Sequence, residues 1–419
     1  MTYRRAIKYL ESFVNFEKIS AYPYKESLKL ERIEGFLRRI GNPQDSLRCL
    51  HVAGTKGKGS TCAFLTYILR QAGYKVGFYT SPHLSNFRER IRILKPDTKT
   101  TDCFEGMISA ADLAKIVAKL KTEIEKYNKT SEYGPLTFFE VYTAAAFVYF
   151  KEKRIDFAVL ETGLGGRLDA TNTCSPLACV ITPISYEHTQ KLGNTLRGIA
   201  AEKAGIIKKN SIVISAPQEK EAQEIIRGKC KASGSELIEV NKATHFKIRL
   251  LGKHQQINAA VAVAAIKALA NYNIKVSVDS IRRGLYNTVW PGRCEVVAKK
   301  PYVVLDGAQN KASAGVLRKS IKENFKYKKL ILVLGVSDDK DLKGIAAELN
   351  GLADEVILTQ ANNPRATKPE ALAYYYKGKK PYLTCSVKEA KKLASEIAKK
   401  EDLVLVTGSL FVVGEWRDV

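Results

Sequence analysis

The glycine-rich stretch Gly54-Thr-Lys-Gly-Lys-Gly-Ser60 is the part of this sequence best suited to chemistry. An apolar run, 47–53, precedes it, and the residues after Thr61 predict a helix. A strand, a glycine-rich loop and a helix in this order typically bind phosphate, because backbone N–H groups and the helix N-terminus attract the anion and a lysine reaches it. We therefore predict a nucleotide site. A basic surface turn is the alternative, because Gly59 interrupts the usual Lys-Ser spacing.

Two further apolar runs end in groups that could act together with this loop. Glu161 follows the run 155–160, and His188 closes Ser-Tyr-Glu-His after the run 178–184. In open α/β sheets, ligands bind beyond the carboxyl ends of the strands. Ser60, Glu161 and His188 would offer Mg²⁺ a hydroxyl, a carboxylate and an imidazole beside a triphosphate. Imidazole is a less usual magnesium ligand, so a packed or hydrogen-bonded His188 is the alternative.

The elements that must position these groups alternate between apolar strands and amphipathic helices, which predicts an α/β fold with a mainly parallel sheet covered on both faces. Helical patterns occur at 3–16, 27–40, 110–127, 137–151, 195–207, 219–233 and 255–271. After a boundary at 290–301 the alternation restarts, with strands at 302–305, 330–334, 355–358, 382–384 and 403–406. We expect an N-terminal P-loop ATPase-type domain, 1–295, and a smaller Rossmann-like domain, 296–419.

Composition narrows the class of protein. The chain has 419 residues, a net charge of +25 and no apolar run near the ~20 residues that cross a bilayer. Its lysines come as isolated pairs and do not alternate with aromatic residues, which favours an anion-attracting surface over specific nucleic-acid binding. Eight scattered cysteines without a C-x-x-C pair indicate reduced thiols. We expect a cytoplasmic protein.

Several motifs in order resemble one family. They are the glycine loop, Ser81-Pro-His-Leu84, Glu89-Arg-Ile91, Leu136-Thr-Phe-Phe-Glu140, Glu161-Thr-Gly-Leu-Gly-Gly-Arg-Leu-Asp-Ala-Thr-Asn172, Glu202-Lys-Ala-Gly-Ile206, His254-Gln-Gln-Ile-Asn-Ala259, Pro291-Gly-Arg293, Asp306-Gly-Ala-Gln-Asn310 and Gly408-Ser-Leu410. The chain resembles the folylpolyglutamate synthase and dihydrofolate synthase family of the Mur ligase superfamily.

The resemblance implies an ATP-dependent ligase that phosphorylates a folate or pteroate carboxylate, after which the amine of L-glutamate attacks the acyl phosphate. The implied ATP contacts are Gly54, Thr55, Gly57, Lys58, Gly59, Ser60, Thr61, Asn258 and Arg293. Two magnesium ions are implied, one at Ser60, Glu161 and His188 and a second at a carbamylated Lys203. The implied catalytic residues are Lys58, Lys203, Asp306 and Ser409. On the substrate side, Asp306, Gln309 and Ser409 would bind glutamate in the cleft between the domains, and His83 and Phe139 would receive the pterin end.

Structural alternatives exist for two of these residues. Lys203 also fits a lysine on a helix surface, and Asp306 also fits a helix N-cap or a turn residue. As partners the resemblance implies small molecules, without a membrane or specific nucleic acid, and we expect a monomer. The alternative functions are a Mur-type ligase acting on another acid, such as a peptidoglycan or cyanophycin precursor, and a P-loop NTPase that drives a switch.

Three residues depart from the family pattern. Lys56 stands where asparagine is usual, Glu187 replaces the aspartate before His188, and Gln309 replaces a histidine. The first two lie in the expected phosphate and metal region. The third bears on the glutamate side, where glutamine keeps hydrogen-bonding ability without a titratable site.

Overall fold

The computed structural model describes residues 1–19, 22–96, 98, 102–187 and 189–419. They form two compact units. The first comprises Met1–Pro82, Arg88–Ile248 and Gln256–Thr288, and the second comprises His83–Phe87, Arg249–Gln255 and Val289–Val419. The expected domain limits, 1–295 and 296–419, stay predictions.

Within the described residues, the first unit has a seven-stranded sheet in the order β3-β2-β4-β1-β5-β6-β7. Its strands are β1 Cys49–Ala53, β2 Val76–Tyr79, β3 Ile91–Leu94, β4 Phe157–Glu161, β5 Pro176–Ile181, β6 Ile212–Ser215 and β7 Glu236–Glu239. All neighbours pair in parallel except β2 and β3, which are antiparallel. The predicted mainly parallel sheet is confirmed, and its central strand, β1, leads into the glycine loop.

The helices up to residue 288 connect and cover these strands. They are α1 Tyr3–Glu11, α2 Tyr24–Ser27, α3 Leu30–Arg39, α4 Lys58–Gln71, α5 Ala110–Thr130, α6 Phe138–Glu152, α7 Thr189–Leu192, α8 Leu196–Ala204, α9 Lys220–Ser233, α10 Lys253–Ala268 and α11 Val278–Asn287. The start of α6 explains one sequence motif. Thr137 and Glu140 form a capping box, and the Glu140 carboxylate also accepts from Nε of Arg32 at 2.9 Å. None of the helices in the described ranges has the length and apolar character that a bilayer crossing requires.

The second unit has a six-stranded sheet in its described residues, in the order β12-β11-β10-β13-β9-β8. The strands are β8 Glu295–Lys299, β9 Tyr302–Leu305, β10 Leu330–Leu334, β11 Glu355–Leu358, β12 Tyr382–Leu383 and β13 Leu403–Thr407. The helices are α12 Lys311–Asn324, α13 Leu342–Leu349, α14 Pro369–Ala373, α15 Val387–Ile397 and α16 Leu410–Asp418. Strand β8, which is antiparallel to β9, lies in the stretch that the sequence marked as a boundary.

Alternate residues of β10 show that both faces of this sheet are covered. Leu332 packs in one apolar cluster with residues of α12 and α13, whereas Val333 packs in another with residues of α15 and α16. Both side chains are fully buried. A strand buried on both faces reads as a continuous apolar run, which is why Leu330–Leu334 was recognisable from the sequence.

Candidate active site

The carboxyl ends of three neighbouring parallel strands, β4, β1 and β5, meet at one edge of the first sheet. In the sheet register, Val52 of β1 lies opposite Glu161 of β4, and Ala53 lies opposite Ile181 of β5. The glycine loop therefore leaves the sheet between the Glu161 carboxylate and the segment after Ile181. This is the position at which open α/β sheets bind ligands.

Two glycines give the loop a backbone conformation that other residues rarely adopt. Gly54 has a φ of 145° and Gly57 a φ of 85°. A Cβ on Gly54 would lie 1.9 Å from Oγ1 of Thr182, and a Cβ on Gly57 would lie 2.3 Å from Oδ1 of Asn258. The buried Asn258, an expected ATP contact, thus packs against the loop so closely that only glycine fits.

The first turn of α4 supplies polar groups to the loop. This helix begins at Lys58, so its unpaired N–H groups lie at the loop. Lys58 is half-buried and has no ion pair or side-chain hydrogen bond to another described residue. Ser60 is buried, and Oγ1 of Thr61 is buried without a hydrogen-bond partner in the described ranges. A lysine and a buried hydroxyl at a helix N-terminus, neither with a partner among the described residues, fit the phosphates of a nucleotide.

Lys203 lies in the last turn of α8 and is only 4% exposed, so its interpretation as a surface lysine is wrong. Its Nζ donates a hydrogen bond to the carbonyl oxygen of Gly54 at 2.8 Å. Burial and, next, the charge of Lys58 lower the pKa of Lys203 to about 7. Near neutral pH a large fraction of this amine is uncharged, and the uncharged amine is the form that can react with CO₂.

Glu161, at the end of β4, is 6% exposed, and its Oε2 accepts a hydrogen bond from the N–H of Ser81 at 3.3 Å. Burial raises the pKa of the Cys62 thiol well above its usual range; Glu161 raises this pKa further, while Lys58 lowers it. Because both charges act on Cys62, the Glu161 carboxylate lies near the first turns of α4.

The expected magnesium site is described only in part. His188 lies outside the described residues. Within them, no group of three or more histidine, cysteine, aspartate and glutamate side chains is arranged to hold a metal ion. Magnesium beside a triphosphate needs few protein ligands, since phosphate and water oxygens complete its shell. The buried Glu161 and Ser60 fit such a site.

Asp169 organises the loop after Glu161, a role that the sequence reasoning missed. Its Oδ2 accepts from the N–H groups of Gly163 and Leu164 at 2.9 and 3.0 Å, and its Oδ1 accepts from Oγ1 of Thr171 at 2.5 Å. Burial raises the pKa of this carboxyl, while the hydrogen bonds act in the opposite direction. An acidic residue inside a glycine-rich loop was the signal that could have found it.

In the second unit, Asp306 follows β9 and closes a turn. Its Oδ1 accepts from the N–H of Ala308 and its Oδ2 from the N–H of Cys294, both at 2.8 Å. It does not cap α12, whose N-cap is Asn310. Burial raises the pKa of the Asp306 carboxyl, and the charge of Arg293 acts against this rise. The turn interpretation of Asp306 is thus confirmed, and Arg293 lies near its carboxylate.

Two other expected glutamate contacts have local structural roles. Oγ of the buried Ser409 accepts from the N–H of Phe411 at 3.0 Å and caps α16. The N–H of Gln309 donates to Oγ of Ser313 at 3.2 Å, just before α12. Ser409 therefore lies directly before α16, and Gln309 lies two positions before α12.

The residues expected near the pterin belong to different units and are described separately. In the second unit, the His83 ring lies 4.5 Å from that of Phe87, centroid to centroid. In the first unit, Phe139 packs beneath the loop after β4, where a Cβ on Gly163 would lie 2.8 Å from the ring. The Phe139 ring lies 6.0 Å from that of Tyr79.

Comparisons with known proteins define the class. A family model described as Mur ligase, glutamate ligase domain, matches residues 292–410. The structure of Mycobacterium tuberculosis folylpolyglutamate synthase complexed with ADP is 28% identical, with a TM-score of 0.87 over 99% of this chain and 97% of that one. The structure of E. coli FolC in complex with DHPP and ADP is 31% identical, with a TM-score of 0.84 over 100% and 97%. The chain is therefore an ATP-dependent ligase of the Mur type.

The particular family is shown by a relative whose sequence aligns with nearly the whole chain. The dihydrofolate synthase/folylpolyglutamate synthase of Bacillus subtilis is 35% identical over 421 residues, which cover 93% of this chain and 94% of the relative. The E. coli enzyme described by the same name is 33% identical over 94% of this chain and 91% of its own length. The chain belongs to the dihydrofolate synthase/folylpolyglutamate synthase family.

Proposed function

We propose that this enzyme uses ATP to join L-glutamate to a folate-type acceptor, a folate or a pteroate. The observation that carries the proposal is the glycine loop at the strand edge of a chain of this family, with Lys58 at the start of α4 and no ion pair to it from the residues that the structure describes. The ADP that is named in the M. tuberculosis and E. coli structures supports ATP as the nucleotide.

The reaction has two steps. An oxygen of the acceptor carboxylate attacks the γ-phosphorus of ATP, ADP leaves, and an acyl phosphate forms. The amine of glutamate then attacks the acyl carbon, phosphate leaves, and a proton is released from the nitrogen. The main obstacle in the first step is repulsion between two anions. Lys58 and the N-terminus of α4 reduce it by placing positive charge at the phosphates.

The residues for two magnesium ions are Ser60, Glu161 and His188 for one, and Lys203 for the other. Bound magnesium would neutralise phosphate charge in this site. Two features of the chain support the assignment. Glu161 is buried at the strand edge, and burial gives Lys203 a pKa of about 7, so its amine is available for carbamylation.

The remaining assignments complete the proposal. Asn258 and Arg293 contact ATP, Asp306, Gln309 and Ser409 bind glutamate, and His83 and Phe139 receive the pterin end. The enzyme is a cytoplasmic monomer whose partners are small molecules, without specific nucleic acid. The lysines occur as isolated pairs and not in one basic segment, which supports the absence of specific nucleic-acid binding. The family membership supports the other assignments.

The test is ADP release over a panel of acceptors, each with and without glutamate. We expect release only with a folate or pteroate acceptor, ATP and glutamate together, and none from Lys58→Ala. Release with a different acid would indicate a Mur-type ligase of other specificity. Release without acid or amino acid would indicate a P-loop NTPase.

A further inference from the structure

Two charged side chains beside the glycine loop, those of Lys56 and Glu187, contact each other. Nζ of Lys56, in the glycine loop, lies 2.6 Å from Oε1 of Glu187, in the segment after β5. The two side chains are 33% and 19% exposed. An ion pair of this length with both partners mostly shielded from water is stronger than an ordinary surface pair.

The pair belongs to a wider attachment between the loop and the segment 183–187. The N–H groups of Thr55 and Lys56 both donate to the carbonyl oxygen of Pro183, at 3.0 and 3.1 Å. Oγ1 of Thr55 donates to the carbonyl oxygen of Ser185 at 3.2 Å and accepts from its N–H at 3.1 Å. The backbone contacts hold the start of the segment, and the ion pair holds its end at Glu187.

The side chains of Lys56 and Glu187 have the lengths and the opposite charges that this contact requires. Aspartate at 187 would withdraw the carboxylate by one C–C bond, roughly 1.5 Å, and lengthen the contact beyond hydrogen-bonding distance. Asparagine at 56 would remove the lysine charge beside the Glu187 carboxylate, close to a site for a polyanion. Either change alone breaks the ion pair and keeps the charge of the other residue.

We propose that Lys56 and Glu187 are positioning residues, an inference that rests on the proposed function. They hold the segment 183–187 against the glycine loop in the arrangement that binds the nucleotide. They act through the loop and not on the reacting atoms. Lys56 also neutralises Glu187, so that this carboxylate does not repel the phosphates.

The experiment is a double-mutant cycle with Lys56→Asn, Glu187→Asp and both together. The readouts are the Kd of a non-hydrolysable ATP analogue by titration calorimetry, with and without Mg²⁺, and the thermal midpoint. Each single change should weaken analogue binding about tenfold, and the double variant should also bind about tenfold more weakly than wild type, because both changes break the same pair; this corresponds to a coupling energy of about 1.4 kcal/mol. The thermal midpoints should agree within a few degrees. In turnover, KM for ATP should rise in the single variants more than kcat falls.

A second pair in the same unit provides the matched control. Nζ of Lys119 lies 2.6 Å from Oε1 of Glu152, on α5 and α6. Lys119→Asn and Glu152→Asp, alone and together, should leave analogue binding unchanged.

Three outcomes would overturn the proposal: additive losses in the double variant, equal losses in the control pair, or lowered midpoints with unchanged analogue binding. The analogue is bound without acceptor or glutamate. A failure of the ligase assignment would therefore not change the result expected from the double-mutant cycle. The two hypotheses therefore fail separately.

Discussion

Replacing Gly57 tests whether the loop geometry holds the nucleotide. Gly57 has a φ of 85°, and alanine in the left-handed region costs about 1–2 kcal/mol. Its Cβ would lie 2.3 Å from Oδ1, 2.9 Å from Cγ and 3.0 Å from Nδ2 of Asn258. The buried amide must therefore move. Disturbing a buried polar group costs roughly a further 1–3 kcal/mol.

Gly73 provides the control at the other end of α4. It has a φ of 90°, and a Cβ there would meet nothing within 4 Å. Gly73→Ala therefore carries the backbone strain without the clash. We expect both variants to lose stability in urea unfolding, Gly57→Ala by about 1–3 kcal/mol more.

The decisive measurement is the affinity for an ATP analogue. Gly57→Ala should bind it at least about tenfold more weakly than Gly73→Ala, because the displaced Asn258 and the shifted loop backbone are both expected nucleotide contacts. Equal affinities in the two variants would refute the placement of the nucleotide against Gly57 and Asn258, whatever their difference in stability.

Four further predictions concern single residues. Lys58→Ala should abolish ligation with an unchanged thermal midpoint, since Lys58 has no ion pair in the described residues; wild-type turnover at saturating ATP would contradict this. Glu161→Ala should raise the magnesium required for half-maximal activity about tenfold or more, and an unchanged titration would remove Glu161 from the metal site. Between pH 7 and 10 the unfolded state protonates Lys203 and the folded state does not, so unfolding free energy should rise with pH; Lys203→Met should lose this part of the slope in urea titrations at several pH values. Gln309→His should introduce an inflection near pH ~6.5 in kcat/KM for glutamate that the wild type lacks, and identical profiles would place residue 309 away from glutamate.

The strands were easier to predict than the helix ends. Strands β4 and β10 are apolar because both of their faces are covered, and each ends where a polar or glycine residue begins. The first helical pattern was predicted to reach Phe16, but α1 ends at Glu11. Apolar periodicity continues there, while the side chain of Asn15 accepts a hydrogen bond from the N–H of Glu17 and fixes a turn. Periodicity alone does not report such a local hydrogen bond.

Two edge strands, β7 and β8, were missed for a different reason. Strand β7 carries a glutamate at each end and is at most half-buried, so it lacks the apolar run by which the central strands were recognised. Strand β8 also lies at an edge, with three exposed residues. Because β7 and β8 are partly exposed to solvent, their side chains need not be apolar, and the apolar run that identifies a buried strand in the sequence is missing.

In the site, residue types were predictable and contacts were not. The glycine loop and Glu161 could be recognised because strand ends and glycine spacing are local features. The bond from Lys203 to Gly54 joins residues 149 positions apart, and the Lys56–Glu187 pair spans 131. Neither separation leaves a periodic signal, and Asp306 showed its turn contact to Cys294 only in the folded chain.

Three lysines near the glycine loop show why contacts decide function. Lys56 and Lys58 are two positions apart and look equivalent in the sequence, yet Lys56 is paired with Glu187 while Lys58 has no ion pair in the described part of the chain. Lys203 is buried, with a pKa lowered to about 7. The charge of Lys56 is neutralised by its partner, and that of Lys203 is partly lost near neutral pH. Of the three, only Lys58 is neither paired with an acidic group among the described residues nor fully buried, and it stands at the helix N-terminus where a phosphate binds best.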